Sequence, residues 1–256
     1  MKKVAFTLIA VSIATVFTAC KNEPNDIQNT PNTNDLAVAE ATTVDEDQFL
    51  YVTAPSGLTL RKFDNLNSDK LAVMPYGTRL KVLSNEQENT MTVGGIDGDM
   101  NKVIYNNKTG FAFNGFLSKF FPPEKGTNAK MYITDLKSTF PKASYAETTG
   151  GTASKPSNTQ TVLLPTPDWH EAFYVAQQLY DIPLVFNFPN PKGRDSETIR
   201  NTKKAEQLLE SNIVVERKDN TLQKITYRQA ASGHQSGVTI SKEGTLMKIE
   251  YKTVVE

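Results

Sequence analysis

Gly57-Leu58-Thr59-Leu60-Arg61 and, further on, Arg79-Leu80-Lys81-Val82-Leu83-Ser84 set apolar against polar side chains in near alternation. In an extended chain Leu58 and Leu60 project to one face and Thr59 and Arg61 to the other, the mark of a strand with one buried side. The same short-run pattern recurs on both sides. Candidate strands cover 49–53, 58–61, 79–84, 90–94, 101–105 and 109–113. Asn106-Asn107 and Asp97-Gly98 supply the left-handed positions that tight hairpins require, and Gly77 after Pro75-Tyr76 suits a turn into the strand at 79. Residues 49–121 therefore read as a small all-β barrel, its core filled by Val52, Leu58, Leu60, Leu71, Val82, Val93 and Val103.

Upstream, Lys2 and Lys3 precede an uncharged apolar run from Val4 to Phe17 and then Thr18-Ala19-Cys20, the layout of an export signal over residues 1–20. The run falls short of the roughly 20 apolar residues that a membrane-spanning helix needs. Ala19-Cys20 resembles the end of a bacterial lipobox, which implies lipid attachment at Cys20, the only cysteine of the chain. Phe17 departs from the aliphatic residue usual there. With that thiol consumed, none is left for a disulfide. Lys21 after the cysteine resembles the signal that forwards a lipoprotein to the outer membrane in a diderm cell. The expected location is the bacterial cell envelope. Residues 21–48 hold seven acids by position 47 against one base, Lys21, and few large apolar groups. Such a segment buries too little surface to offset its ordering entropy and reads as a disordered acidic tether, reaching on the order of 30 Å as a flexible coil.

Downstream, residues 122–128 carry Pro122-Pro123 and Gly126 and read as a linker. Beyond them, 129–256 is expected as a second domain of the α+β class, a helix packed on an antiparallel meander. Lys130 to Thr134 is taken as a strand and Ala146 to Asn158 as an irregular loop. Thr166-Pro167-Asp168 has the order of an N-cap, a first-turn Pro and an acid beside the positive helix end. Trp169, Ala172, Phe173, Ala176, Leu179 and Tyr180 follow at helical spacing, and Pro183 ends the run. Ser196 to Glu210 is taken as a second, more polar helix. Strands are expected over 212–217, 222–229, 237–241 and 245–253, with Asp219-Asn220 and Glu243-Gly244 as hairpin turns.

Lys plus Arg and Asp plus Glu both number 28, so no basic excess points to nucleic acid. A thiol peptidase needs a cysteine nucleophile beside an imidazole, and the only Cys lies in the export segment. A zinc amidase needs several ligands, commonly His, and only His170 and His234 exist. His170 is expected at the rim of the helix start and His234 in a surface loop. Glu171 is a conceivable general acid, but the helix dipole alone explains an acid in the first turn. Asp97-Gly98-Asp99-Met100-Asn101 opens like a calcium loop, yet Lys102 and Lys108 stand where the turn Gly and the bidentate Glu belong, so it reads as a turn. No enzyme activity, metal or cofactor is expected.

Gly57-Leu58-Thr59-Leu60-Arg61, Lys70-Leu71-Ala72-Val73-Met74-Pro75-Tyr76-Gly77-Thr78, Lys102-Val103-Ile104-Tyr105 and Thr109-Gly110-Phe111 resemble, in order and spacing, the bacterial SH3-like domain. The likeness covers a little over a quarter of the chain. It implies an SH3-like barrel over 49–121 that binds rather than catalyses. Where the family often carries Trp, this chain has Met100-Asn101 and Gly110-Phe111-Ala112, which weakens or relocates a stacking platform. Candidate ligand contacts are Phe63, Tyr76, Tyr105 and Phe111, aromatics that bury area at little rotamer cost, with Asn114 as a polar orienting group. The expected function is that of a non-enzymatic, lipid-anchored envelope protein that binds peptidoglycan, a peptide or an envelope protein. The alternatives are an inhibitor or accessory subunit of an envelope enzyme and, more remotely, a peptidoglycan glycosidase.

Overall fold

The computed structural model of the chain describes residues 48–84 and 88–255; the export segment, Cys20 and all but the end of the expected tether lie outside them. The described chain is mostly antiparallel β, with two α-helices. No helix among the described residues is long and apolar enough to cross a membrane.

The first sheet is built from β1 (Phe49–Val52), β2 (Leu58–Arg61), β3 (Lys70–Met74), β4 (Arg79–Ser84), β7 (Met100–Tyr105), β8 (Lys108–Phe113) and β9 (Leu117–Ser118). Their order is β3-β2-β8-β7-β4-β1-β9. A separate ribbon pairs β5 (Met91–Val93) with β6 (Ile96–Gly98). Alternation places the core as expected at Val52, Leu58, Leu60, Val82 and Val103, all buried, whereas Leu71 and Val93 are only partly buried. Leu80, Met74, Met100 and Phe113 complete it. The turn expected at Asp97-Gly98 lies instead at Gly94-Gly95, with φ of 59° and 80°. A two-residue hairpin of this kind needs both centres left-handed, and Gly-Gly takes them without the clash a Cβ brings, so Asp97-Gly98 stays in β6. Asn106-Asn107, with φ of 47° and 60°, does form the β7–β8 turn.

The second sheet runs β10 (Ser144–Gly151), β11 (Pro156–Leu164), β16 (Leu246–Val255), β15 (His234–Glu243), β14 (Thr221–Ala231), β13 (Leu208–Lys218) and β12 (Ser196–Arg200). Three sequence expectations change here. Residues 130–134 belong to helix α1 (Ala129–Lys137), whose N-cap Asn128 accepts from the amides of Lys130 and Met131. Ala129, Tyr132, Ile133 and Leu136 recur at helical spacing and are buried, a period that a five-residue window hides. The supposed loop 146–158 is the β10–β11 hairpin. Its polar residues hold strand form because β11 is bonded along its length to β16. The supposed helix 196–210 is β12, a turn and the start of β13, with Ile199 opposite Ile213.

Helix α2 (Trp169–Leu179) covers the inner face of this sheet against β15 and β16. It begins two residues later than expected. Asp168 holds the N-cap position with no side-chain cap, and Thr166 Oγ1 instead accepts from the Asp168 amide at 3.1 Å. Ala172, Phe173 and Ala176 are fully buried, while Trp169 is only partly so. The β13–β14 turn at Asp219-Asn220 is as expected, with φ of 50° and 60°. The last turn slides by one residue to Gly244-Thr245, since Glu243 pairs with Leu246.

The buried side chains of both sheets form one continuous core. Residues 122–128 pass along it: the Tyr76 hydroxyl donates to the Pro123 carbonyl at 2.9 Å, and the Tyr132 hydroxyl to that of Phe121 at 3.0 Å.

Candidate functional site

A cleft of about 500 Å³ opens between the first sheet and α2. One wall is the turn Ala54-Pro55-Ser56-Gly57 leading into Leu58, Thr59 and Arg61 of β2. Gly57 is required there. Its φ is +84°, and a Cβ would stand 2.9 Å from the Met74 carbonyl oxygen. The floor is Met100, Phe113 and Phe116. Tyr174 and Gln177 of α2 and the segment Leu184 to Asn187 form the other wall.

Local chemistry explains why that wall stands where it does. Pro183 prevents α2 from continuing, and the chain doubles back with the Phe186 amide donating to the Pro183 carbonyl. Gln177 Nε2 donates to the carbonyls of Pro183 at 3.3 Å and Phe186 at 2.9 Å. Phe186 then packs edge-on against Tyr227 of β14, at 5.8 Å between ring centres. With Phe186 turned inward, Leu184 is left 63 % exposed at the mouth, opposite Leu66 at 36 %. Rings Phe113, Phe116 and Tyr174 meet in sequence at 5.8 and 6.0 Å, tying the floor to the helix.

The polar side chains of the cleft are those of Ser56, Thr59, Arg61, Tyr174, Gln177 and Asn187. Arg61 is the only formally charged residue among the described residues lining it, and its Nη1 donates to the Ser68 carbonyl. The Tyr174 hydroxyl makes no hydrogen bond among the described residues, and burial pushes its pKa up to about 12, so it remains a neutral donor and acceptor. An apolar hollow with a small number of placed polar groups is the usual form of a ligand site.

The five residues singled out from sequence do not converge on this cleft, and none of them lines it. Phe63 is 54 % exposed, with the Lys62 ammonium 5.3 Å from its ring centre. Tyr76 lines a separate hollow with Tyr51, Phe121, Tyr132 and Asp135. Phe111 lines a smaller one with Asp64, Thr90, Asp99 and Met100. Tyr105 is half-buried against the core beside its hairpin turn. Asn114 is a structural bracket: its Oδ1 accepts from the Asp99 amide at 2.9 Å and its Nδ2 donates to Asn101 Oδ1 at 3.2 Å. Asp99, in the segment that opens like a calcium loop, accepts from the amides of Asn89 and Thr90 and from the Thr90 hydroxyl, each at 2.7 Å. These bonds, led by the Thr90 amide, hold its carboxyl below the usual range. No group of three or more His, Cys, Asp or Glu among the described residues is placed to hold a metal ion.

Glu171 stands in the first turn of α2, as its place beside the helix dipole implies. It is buried, and burial raises its pKa, opposed by hydrogen bonds from Ser118 and Thr166. A carboxyl whose folded pKa is raised binds more protons folded than unfolded, so its effect on stability is most favourable below about pH 4.3 and worsens as pH rises through the folded pKa. Glu171→Gln is therefore expected to raise the thermal midpoint at pH 8 and leave it nearly unchanged at pH 4. Thermal unfolding of both proteins across this range checks it; a midpoint lowered at pH 8 would show that the ionised form is satisfied. His170, expected at the rim, is partly buried beside Phe188, which lowers its pKa.

No protein-family model, curated protein or solved structure matches this chain.

Proposed function

We propose that this chain is a non-enzymatic lipoprotein of the bacterial cell envelope, anchored through Cys20, whose SH3-like module at 49–121 binds a peptide or wall-derived ligand. The observation that carries the binding reading is the cleft of about 500 Å³, with exposed Leu184 and Leu66 at its mouth and β2, the strand of the SH3-like motif, along its wall. In this reading the second sheet completes the site, since α2 and residues 184–187 form the far wall. The anchoring reading rests on the order of charge, apolar run and Ala19-Cys20 in the sequence.

One experiment addresses both parts. Cells grown with labelled palmitate express the full chain, Cys20→Ser or Leu184→Asp, and each purified protein is then offered isolated wall sacculi and an array of apolar peptides. Label is expected on the first and third proteins and not on Cys20→Ser. Leu184 is exposed, so Leu184→Asp folds normally, and it is expected to lower retention at least tenfold by setting a charge in the apolar mouth. Equal labelling of Cys20→Ser removes the anchor, and unchanged retention of Leu184→Asp removes the cleft.

A further inference from the structure

Gln177 is 3 % exposed, yet only half of its amide is satisfied by the protein. Its Nε2 donates to two backbone carbonyls, which accept and never donate, so the nitrogen and not the oxygen must face them. Oε1 is left without a hydrogen bond among the described residues, on a side chain that lines the cleft. Oε1 is not sealed from solvent, so it is open to donation by whatever occupies the cleft. Three residues earlier on the same helix face, the Tyr174 hydroxyl is likewise without a partner among the described residues. Residues at this spacing lie about 5–6 Å apart at Cβ.

On α2 the cleft thus offers one pure acceptor and one neutral hydroxyl a turn apart, over the apolar floor of Met100, Phe113 and Phe116, while Ser56, Thr59 and Asn187 add polar side chains elsewhere on the lining. A secondary amide has the complementary pair, an N–H to give and a C=O to receive. Along an extended peptide such groups recur every 3.3–3.6 Å, so one amide or two successive ones meet both side chains. An acetamido sugar carries the same amide but also brings hydroxyls. To receive them the described lining has only the neutral acceptors of Ser56, Thr59, Tyr174, Gln177 and Asn187 and no Asp or Glu, and more of its surface is apolar than polar. We infer that the ligand is an extended peptide with apolar side chains, its backbone read by the Tyr174 hydroxyl and Gln177 Oε1.

This inference rests on the cleft being the binding site and is separable from it by experiment. The probes are an array of N-acetylated pentapeptides of Ala, Val, Leu and Phe, the same peptides with single amides replaced by esters, and chito-oligosaccharides. Each is titrated against the full chain in detergent, against Tyr174→Phe, which removes only the hydroxyl, and against Leu184→Asp. The expected result is peptide binding that weakens about three- to tenfold in Tyr174→Phe, in line with one lost hydrogen bond. One ester position should weaken binding to the wild type by a similar factor. If Leu184→Asp abolishes binding while Tyr174→Phe and every ester leave it unchanged, the cleft stands and the amide reading falls. Tyr174-dependent binding of the oligosaccharides and not the peptides also overturns it. Binding of no probe, or binding indifferent to both variants, removes the site and the inference together.

Discussion

Phe173→Ala is expected to lower the thermal midpoint by on the order of 10 °C. Phe173 lies in the middle of α2 with no exposed surface, and its ring meets Tyr174 at 5.6 Å and Phe188 at 5.8 Å. Truncating a buried Phe to Ala costs about 3–5 kcal/mol, because the lost transfer energy is joined by the cavity left behind. For a unit of this size each kcal/mol shifts the midpoint by about 2–4 °C. The side chain stands between the sheet and the segment that carries Phe186 and Phe188, so the site has no room to collapse without moving that segment. Trp169, the residue that sequence pattern marks first on this face, is only partly buried, and Trp169→Ala is expected to cost less than half as much. Calorimetry of the two variants side by side checks the order. A larger loss from Trp169→Ala would place the centre of the packing at the helix start.

Arg217→Ala is expected to cost about 2–4 kcal/mol, read as a drop in the urea midpoint with little change in slope. The Arg217 side chain is fully buried and works as a fork. Nε and Nη2 donate to the Asn190 carbonyl at 3.1 and 2.6 Å, Nη1 to that of Arg194 at 2.9 Å, and Nη2 also to Glu197 Oε2 at 2.9 Å. Glu197 is 42 % exposed and stays solvated when the Arg is lost, so the cost comes mainly from the orphaned carbonyls. The guanidinium also lies against Gly193, where φ is +145° and a Cβ would sit 3.5 Å from Cζ. Arg217→Lys keeps the charge but not the planar fork and is expected to recover only part of the loss. Amide exchange at Lys192 and Gly193 should quicken in both variants. Full recovery by Lys would mean that charge, and not the fork, holds the chain there.

The share of this architecture that was legible in the sequence follows the range of the interactions involved. Asn106-Asn107 and Asp219-Asn220 are turns because the two residues themselves tolerate left-handed backbone, a property carried within the turn. The alternation in β2, β4 and β7, and the apolar stripe of α2, are likewise periods contained within one element. Residues 144–158 carry no such period. They are strands because β16, some ninety residues away in sequence, presents a ladder to β11. Residues 196–200 become β12 through β13, and Lys130 to Thr134 become part of a helix through a face completed by Ala129 and Leu136.

The cleft is further still from what one chain segment can announce. Sequence reasoning looks for aromatics in loops and finds Phe63, Tyr76, Tyr105 and Phe111; the structure scatters them over separate surfaces and bonds Asn114 into the Asp99 turn. Gln177 gives no sign in the sequence, since a Gln on an amphipathic helix is ordinarily a solvated one. Only the return of the chain after Pro183 supplies the two carbonyls that orient its amide. The sequence by itself determined the local hairpin turns and the apolar face of α2, because each depends on neighbours a few residues apart. Tertiary structure alone decided the pairing of the polar strands, the burial of Arg217 and Glu171 and the existence of the cleft, because each depends on groups that only the folded chain brings together.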